Sequence, residues 1–307
     1  MRRSPSPYGD SIILKPDEFR QLRDLFVART GLQFGAEARF ALERRLRERL
    51  TVLKLSTFAD YHQYLRFGSQ ASAEWDEAID LLTTNETYFF REERQLRAFQ
   101  NEVLPLIEAQ ARPRRRLAIW SAGCSTGEEV YTIAVLVSQS SLFPRRVGPG
   151  EPPPWDVRIY GSDISRRCVA AARRGVYSES SFRATSTEAR RAFFHQRPDG
   201  WHVAEPIRQL CHFGQMNLLD EDRSRVLGRA DAIFCRNVLI YFDARARKTA
   251  IEVLYDRLNP GGVLMLGHSE SLLNVSTAFE LLHLKDDLVY RKPLSARGET
   301  QVPDDPT

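Results

Sequence analysis

The segment with the clearest chemical potential is the loop 121–129, which reads Ser-Ala-Gly-Cys-Ser-Thr-Gly-Glu-Glu. It lies between a short apolar run, 117–123, and an amphipathic run, 128–140, so it is predicted to join a strand to a helix. Gly123 and Gly127 would let a ligand approach the backbone, and the start of the helix would offer N–H groups that lack intrahelical partners. The loop therefore predicts a ligand-binding turn, although a turn of this kind can also be purely structural.

Two familiar chemistries fit this loop poorly. A dinucleotide site needs the spacing G-x-G-x-x-G, whereas the loop has G-x-x-x-G, and Glu128 and Glu129 would repel a pyrophosphate. A serine hydrolase is suggested by G-x-S-x-G around Ser125, with Asp231 and His268 following in the chain. The sequence before the loop is helical, however, and it lacks an oxyanion segment of the HGGG kind, which counts against a hydrolase.

A cationic ligand that carries an amino group, such as S-adenosylmethionine, is compatible with the whole loop. Glu128 could hold an ammonium group, and the N–H groups could meet a neutral or anionic part of the ligand. Asp163 ends a second predicted strand, 157–163, where a carboxylate can accept both hydroxyls of a ribose. The residues themselves thus favour S-adenosylmethionine over a dinucleotide.

The elements that must position this loop form an alternating pattern after residue 116. Strands are predicted at 117–123, 157–163, 231–237 and 263–270, and helices at 128–140, 165–174 and 244–258. The end of the chain, 278–293, is predicted to be an antiparallel hairpin, and 201–203 is expected to pair with 210–213 around a tight turn at 197–200. Alternation of this kind predicts a parallel α/β sheet with helices on both faces.

The sequence before residue 116 is predicted to be helical throughout. Four amphipathic helices are expected at 17–29, 39–53, 56–67 and 72–82, with Gly31 and Gly68 as stops and Ser56 as a cap. A fifth helix at about 92–110 should be kinked by Pro105. The aromatic run 88–90 is expected to fill the space between the two domains.

Composition and charge narrow the functional classes. The 307 residues are 42% hydrophobic, and no apolar run approaches the roughly 20 residues that span a bilayer. The N-terminus is unlike a signal peptide, and the four cysteines lack disulfide or metal spacing, so reduced thiols inside a cell are expected. The net charge of +4 is too small for a protein that coats nucleic acid, but 39–54 alone carries six positive and two negative groups.

Six blocks resemble those of the CheR-type chemotaxis receptor glutamate O-methyltransferases, in the order found in that family. They are LLTTNETYFFRE (81–92), WSAGCSTGEEVYT (120–132), GSDIS (161–165), NLLD (217–220), DAIFCRNVLIYFD (231–243) and GGVLMLGHSES (261–271). The resemblance implies a Rossmann-like class I S-adenosylmethionine-dependent methyltransferase domain at 117–294, with a small β-subdomain inserted at about 176–214. It also implies an all-α N-terminal domain for receptor recognition at 12–91 and a linker at 92–116, while 1–11 and 295–307 are expected to be disordered.

The resemblance also implies roles for individual residues. Residues that would bind the cofactor are Asn85, Thr87, Arg91, Ala122, Glu128, Asp163, Asn217, Leu218, Asn237 and Val238. Arg236 and Tyr241 would lie near the transferring methyl group. Together with Arg91 they are the catalytic candidates that would orient the substrate carboxylate. No metal is implied, and the product would be S-adenosylhomocysteine.

The expected substrate is the cytoplasmic helical domain of methyl-accepting chemoreceptors, which is rich in glutamate. Arg44, Arg45 and Arg47 lie away from the leucine stripe of helix 39–53 and are expected to bind this acidic partner, although they could instead pair with Glu43 and Glu48. The turn HQRPDG is short, which favours a member of the family that needs no receptor peptide tether. The protein is expected to be a cytoplasmic monomer that neither inserts into the membrane nor binds nucleic acid.

Two alternatives to this function remain open from the sequence. A methyltransferase could act on another substrate, although Arg236-Asn237-Val238-Leu239 stands where base methyltransferases carry an N/D-P-P-Y/F motif. A non-catalytic module could instead scaffold a receptor array. A methyl-transfer assay separates these alternatives.

Overall fold

The computed structural model describes residues 12–35, 37–145, 148 and 151–294. The disordered ends expected at 1–11 and 295–307 lie outside this part of the chain. The chain divides into two compact units. The first comprises residues up to Thr84 together with Tyr241–Asp243, and the second comprises 85–240 and the residues from Ala244 onward.

The first unit is built from four predicted helices around an apolar core. They are α1 (Pro16–Thr30), α2 (Ala38–Leu53), α3 (Phe58–Phe67) and α4 (Ala71–Leu82). Phe26, Leu46 and Tyr61 are fully buried in that core. Gly31 ends α1 with a φ of 74°, as predicted, because this left-handed conformation is accessible to glycine at little cost.

The cap of α3 differs from the prediction by one residue. Thr57, and not Ser56, caps the helix, since its side chain accepts the backbone N–H of Asp60. The Asp60 carboxylate in turn accepts the backbone N–H of Thr57 at 3.1 Å. This reciprocal capping box depends on an acidic residue three positions along, which is the case for Thr57.

The second unit opens with a helix that is interrupted, as expected near Pro105. Its parts are α5 (Glu93–Ala98), a π-helical turn at Phe99–Val103 and α6 (Leu104–Ala111). Proline has no backbone N–H and cannot complete an i to i−4 hydrogen bond inside a helix. The wider turn just before Pro105 is where the helix accommodates that loss.

The remaining elements of the second unit alternate as predicted, with short additional helices. In chain order they are β1 (Arg116–Ala122), α7 (Glu128–Ser140), β2 (Asp156–Asp163), α8 (Arg166–Arg174), β3 (Val176–Tyr177), α9 (Thr187–Phe193), β4 (Phe194–Arg197), β5 (Gly200–Val203), α10 (Glu205–Arg208), β6 (Cys211–Gln215), α11 (Glu221–Arg225), β7 (Ala230–Cys235), α12 (Ala244–Arg257), β8 (Leu258–Leu266), β9 (Glu280–His283) and β10 (Leu288–Arg291).

Seven of these strands form one sheet in the order β6-β2-β1-β7-β8-β10-β9. The first five are mutually parallel, whereas β10 is antiparallel to β8 and to β9. The predicted parallel sheet with a terminal hairpin is therefore confirmed. Strand order reverses at β1, which lies between β2 and β7, and ligands of open α/β sheets bind beside the carboxyl ends of strands at such a point.

The predicted pairing of 201–203 with 210–213 is wrong. Strand β5 pairs with β3 and β4 in a separate antiparallel sheet, whereas β6 joins the edge of the main sheet parallel to β2. A short alternating run fits either partner equally well, so the local pattern could not decide between them. The tight turn is confirmed, because Arg197 and Gly200 close the hairpin between β4 and β5.

The core of the second unit lies around the central strands and includes Phe89, which is fully buried. The Phe89 ring packs against Tyr177, Phe182 and Phe194 of the inserted subdomain, with ring centroids 4.8–4.9 Å apart. Phe89 is thus core within one unit, which corrects the expectation that this residue fills a space between domains. No helix in the described part of the chain is long and apolar enough to cross a membrane.

Candidate functional site

Most of the predicted cofactor residues are brought to one edge of the main sheet. They stand at or just after the carboxyl ends of the four adjacent strands β6, β2, β1 and β7. Ala122 ends β1, Asp163 ends β2, Asn217 and Leu218 follow β6, and Asn237 and Val238 follow β7. The sheet therefore assembles at one edge residues that are up to 116 positions apart in the sequence.

The loop between β1 and α7 requires its two glycines. Gly123 has a φ of 80°, and a methyl group added to it would lie 2.4 Å from Cγ2 of Val238. Gly127 has a φ of 95°, and the same addition would lie 2.7 Å from Cβ of Ala172. Both positions thus combine a left-handed backbone with a close neighbour, which leaves glycine as the residue that fits.

Asp163 is buried at the end of β2, and both of its oxygens hold backbone. Oδ2 accepts the N–H of Ser125 in the glycine loop, and Oδ1 accepts the N–H of Ser165, each at 2.8 Å. An ionised carboxylate is an acceptor for the hydroxyls of a ligand as well as for backbone N–H groups. This geometry is compatible with the predicted ribose contact.

Glu128 is 3% exposed and opens α7. Thr126 Oγ1 donates to Glu128 Oε2 at 2.6 Å, and Ser181 Oγ donates to Oε1 at 3.0 Å. Burial raises the pKa of the Glu128 carboxyl, while these two hydroxyl bonds oppose that rise. A bound cation would relieve the cost of keeping this carboxylate buried and charged.

Arg236 is buried within a network of ion pairs and hydrogen bonds. Its Nη1 lies 3.1 Å from Glu129 Oε2, and its Nη2 lies 3.1 Å from Glu92 Oε2 and donates to the carbonyl of Arg91 at 2.6 Å. Burial raises the pKa of Glu129, and Arg236 partly offsets that effect. The guanidinium is therefore committed to fixing the segment 91–92 against the start of α7.

The segment 85–91 contributes the other three predicted cofactor residues. The carbonyl of Asn85 accepts Ser125 Oγ at 3.0 Å, so this segment is anchored to the glycine loop. Thr87 and Arg91 are half-buried, and Arg91 Nη1 donates to the Glu86 carbonyl at 3.1 Å. The Arg91 guanidinium also lies over the Tyr88 ring, 5.8 Å from its centroid.

Glu270 is a site residue that the sequence analysis did not single out. Its carboxylate accepts the backbone N–H of Asn237 at 2.8 Å and that of Val238 at 2.9 Å. Glu270 falls within the block 261–271, but nothing in that pattern distinguishes a glutamate that binds backbone N–H groups from a glutamate on the surface. Only the fold shows that it holds the turn after β7.

Four further predicted residues belong to the first unit. Tyr241 is 39% exposed, and its carbonyl accepts the N–H of Gln33 at 2.8 Å. On α2, Arg44 is exposed, Arg45 donates to the Leu82 carbonyl at 3.0 Å, and Arg47 pairs with Glu43.

Two of these three α2 arginines, Arg45 and Arg47, already make contacts within the protein. The neighbouring Arg49 is taken up by the buried carboxylate of Glu74, with Nη2 2.6 Å from Oε2. Arg44 is therefore the α2 arginine that most clearly faces solvent.

The structure contradicts a catalytic triad. Asp231 pairs with Arg114 and accepts the N–H of Ala118 at 3.0 Å, so it lies near the start of β1. Ser125 follows the other end of that strand, about 13 Å away at about 3.3 Å per residue. His268 is exposed, and the described residues include no cluster of three or more His, Cys, Asp or Glu side chains that could hold a metal ion.

A parallel sheet of this order with a terminal antiparallel hairpin, and acidic residues beside a glycine loop, defines a Rossmann-like class I methyltransferase fold. The chain belongs to the CheR methyltransferase family. Residues 85–287 match the CheR methyltransferase SAM binding domain, and residues 17–83 match the CheR methyltransferase all-alpha domain.

Relatives of similar length support the same family. The chain is 37% identical to chemotaxis protein methyltransferase 2 of Vibrio cholerae, over 94% of this chain and 98% of the relative. It is 34% identical to chemotaxis protein methyltransferase 2 of Pseudomonas aeruginosa, over 85% and 88% of the two chains. It is also 34% identical to the chemotaxis protein methyltransferase of Salmonella typhimurium, over 88% and 89%.

Proposed function

We propose that this protein transfers the methyl group of S-adenosylmethionine to glutamate side chains of chemoreceptors, forming glutamate methyl esters and releasing S-adenosylhomocysteine. The observation that carries the proposal is the pair of buried carboxylates, Glu128 and Asp163, beside the glycine loop of a CheR methyltransferase chain. The relatives are named as chemotaxis methyltransferases, which supports a chemosensory substrate.

The residues at the sheet edge fit S-adenosylmethionine by their donor and acceptor chemistry. Glu128 and the Ala122 backbone would hold the amino group, and the Asp163 carboxylate, which lies beside the glycine loop, would accept the ribose hydroxyls. Asn217 and Leu218, which follow β6, would flank the adenine. The aspartate and glutamate carry the negative charge that suits a cationic ligand and would disfavour a pyrophosphate.

The remaining cofactor contacts would come from two segments that the glycine loop brings together. Asn85, Thr87 and Arg91 would cover the methionine end, and the Arg91 guanidinium would pair with its carboxylate. Asn237 and Val238 would form the floor of the site. The contact between Val238 and Gly123 supports this placement.

The chain's own residues need to do little acid–base chemistry. S-adenosylmethionine, when bound, supplies a methyl group activated by its sulfonium. A glutamate has a pKa of about 4.3, so at pH 7 the attacking carboxylate is already an anion and needs no general base. The protein must hold that carboxylate in line with the methyl group and keep water away, which can contribute up to about 7–11 kcal/mol.

Three residues remain candidates for orienting the substrate carboxylate: Arg91, Arg236 and Tyr241. Their surroundings suit them to different roles. The committed contacts of Arg236 to Glu92 and Glu129 favour a positioning role for its guanidinium. Tyr241 is a partly exposed residue whose hydroxyl can donate one neutral hydrogen bond. A neutral donor would suit the reaction because the substrate loses its charge when the ester forms.

We further propose that α2 contributes to recognition of the receptor, whose methylated region is helical and acidic. Exposed Arg44 would act first, and Arg45 and Arg47 would add to the positive potential while keeping their contacts to Leu82 and Glu43. The enzyme would act as a cytoplasmic monomer. The two-residue turn at Pro198-Asp199 supports a member that needs no receptor peptide tether.

The decisive experiment measures transfer of a radiolabelled methyl group from S-adenosylmethionine to membranes that contain chemoreceptors. We expect label in the receptor band that alkali releases as methanol, because a methyl ester is hydrolysed by base. Label that is stable to alkali would contradict ester formation and indicate another substrate group. Binding of S-adenosylmethionine without any transfer would instead favour a non-catalytic module in the receptor array.

A further inference from the structure

The side chain of Glu270 holds a whole turn of backbone after β7. Oε2 accepts the N–H groups of Asn237 and Gly267, each at 2.8 Å. Oε1 accepts those of Val238 at 2.9 Å and Ile240 at 3.2 Å. Four donors fill the acceptor capacity of one carboxylate, so Glu270 acts as an internal anion in a nest of backbone N–H groups.

The turn that Glu270 holds would not keep its shape by local preference alone. Asn237 has a φ of 58°, a left-handed conformation that non-glycine residues adopt at a cost. Gly267 permits the close approach, because a methyl group added there would lie 2.8 Å from both the Asn237 nitrogen and Glu270 Oε2. The carboxylate and this glycine therefore act together to fix the backbone at 237–240.

The same turn bears directly on the glycine loop. Val238 follows the strained Asn237, and its Cγ2 occupies the space where a side chain on Gly123 would stand. A shift of the turn would therefore move Val238 relative to the loop between β1 and α7. This contact connects Glu270 to the ligand edge of the sheet, although Glu270 itself follows β8.

We infer that Glu270 is a positioning residue for the cofactor site: its carboxylate sets the conformation of Asn237 and Val238 and, through Val238, of the glycine loop. The inference rests on the proposed function, in which Asn237 and Val238 line the S-adenosylmethionine site. It assigns to Glu270 no contact with cofactor or substrate. Its role is to supply the negative charge and the four acceptor positions that the turn needs.

The test compares Glu270→Gln with Asp231→Asn by calorimetric titration of the purified full-length enzyme with S-adenosylhomocysteine. Glutamine has nearly the same shape but directs an amide N–H₂ at two of the four backbone donors. Asp231 offers a matched control, because its buried carboxylate also accepts backbone N–H, from Ala118, at the opposite end of β7. We expect Glu270→Gln to raise the Kd at least about tenfold, and Asp231→Asn to lower the Tm without changing the Kd.

A second variant tests the anion requirement itself. Glu270→Ala leaves the four N–H groups without their acceptor, and formate can enter the space vacated by the side chain. We expect formate to lower the Kd of Glu270→Ala towards that of the wild type, whereas chloride at equal ionic strength should not. A wild-type Kd in Glu270→Gln, an equal loss of affinity in Asp231→Asn, or a Glu270→Ala enzyme that formate leaves unchanged would each overturn the inference.

The design separates this inference from the proposed function. Wild-type enzyme that fails to bind S-adenosylhomocysteine would contradict the cofactor assignment and with it the basis of the inference. Wild-type binding together with an unchanged Kd in Glu270→Gln would overturn the positioning role alone. Turnover at saturating cofactor gives an independent readout, since a displaced turn should also lower kcat.

Discussion

The Asp163 carboxylate accepts the backbone N–H of Ser125 at 2.8 Å, so the residue that ends β2 also fixes the loop that follows β1. Its other oxygen holds Ser165 at the N-terminal cap of α8. One side chain therefore determines the relative placement of two strand ends and one helix start. Cofactor affinity and local stability should consequently respond together when Asp163 is altered.

Asp163→Ala should weaken binding of S-adenosylhomocysteine by about 100-fold, since two hydrogen bonds between the carboxylate and ribose hydroxyls are lost. The free energy of unfolding should fall by about 2 kcal/mol, because the N–H groups of Ser125 and Ser165 lose their acceptor. Calorimetric titration and thermal unfolding measure the two effects. Asp156→Ala at the exposed start of the same strand should change neither, and unchanged affinity in Asp163→Ala would contradict the ribose assignment.

Cofactor affinity should depend on pH through Glu128. Burial raises the pKa of this carboxyl, and an ammonium group binds its ionised form, so affinity is full above that pKa and declines as pH falls through it. The decline should therefore begin at a higher pH than an ordinary glutamate would give. Without ligand, unfolding lowers the Glu128 pKa and releases its proton, so this group's contribution to stability diminishes as pH rises through the folded pKa.

Glu128→Gln supplies the control for that pH dependence. The variant should bind S-adenosylhomocysteine more weakly at neutral pH, and its Kd should lose the acidic-limb dependence seen in the wild type. Titrations across the acidic range in matched ionic strength give both curves. Parallel pH profiles for the two proteins would mean that another group controls binding.

Tyr241→Phe should lower kcat by about tenfold and leave the Kd for S-adenosylhomocysteine unchanged. The variant removes one hydroxyl. If that hydroxyl makes one hydrogen bond of ordinary strength in the transition state, its loss raises the activation free energy by about 1.4 kcal/mol. Steady-state methyl transfer to receptor membranes, combined with calorimetry, separates the two quantities. A normal kcat would remove Tyr241 from the reaction and leave Arg91 and Arg236 as the candidate orienting groups.

Arg44→Glu should raise the KM for receptor by about fivefold at low salt, and the effect should diminish at high salt as the charges are screened. Arg44 is the cleanest site on α2, because Arg45 and Arg47 already contact Leu82 and Glu43. Arg20→Glu on α1 is the matched control, since Arg20 is also well exposed. If the two variants had equal KM values for receptor, α2 would be an ordinary solvated surface without a specific role in receptor binding.

Local sequence patterns were sufficient to predict a helix or strand wherever one of its faces is apolar and its ends carry turn residues. The four helices of the first unit and the alternation around β1, β2, β7 and β8 followed from such periodicity. Asp163 was also predicted to end the second strand, and it is the last residue of β2 in the structure. Adjacent parallel strands bring their carboxyl ends to the same edge, and the structure has that arrangement.

Local patterns could not predict which strands pair with each other or which side chains form ion pairs. Strand β6 pairs with β2 and not with β5, because the alternation of a short strand does not specify which neighbour completes its hydrogen bonds. The ion pairs of Arg236 with Glu92 and Glu129, which come from distant parts of the chain, were likewise not predicted. Such contacts depend on several elements packing at once, and no local signal encodes them.

Three features were predictable from the amino-acid sequence: the alternation of elements, the need for two glycines in the ligand loop, and the acidic residues at the strand ends. These properties depend on residue type and spacing, which act over a few positions. Three others became visible only in the folded chain: two glutamates pair with Arg236, Arg44 is the most exposed arginine of α2, and the Glu270 carboxylate binds the turn after β7. Arg236 and its two glutamates, and Glu270 and the turn at 237–240, are far apart in the chain, so their charge and hydrogen-bond satisfaction could be assigned only once the fold had brought them together.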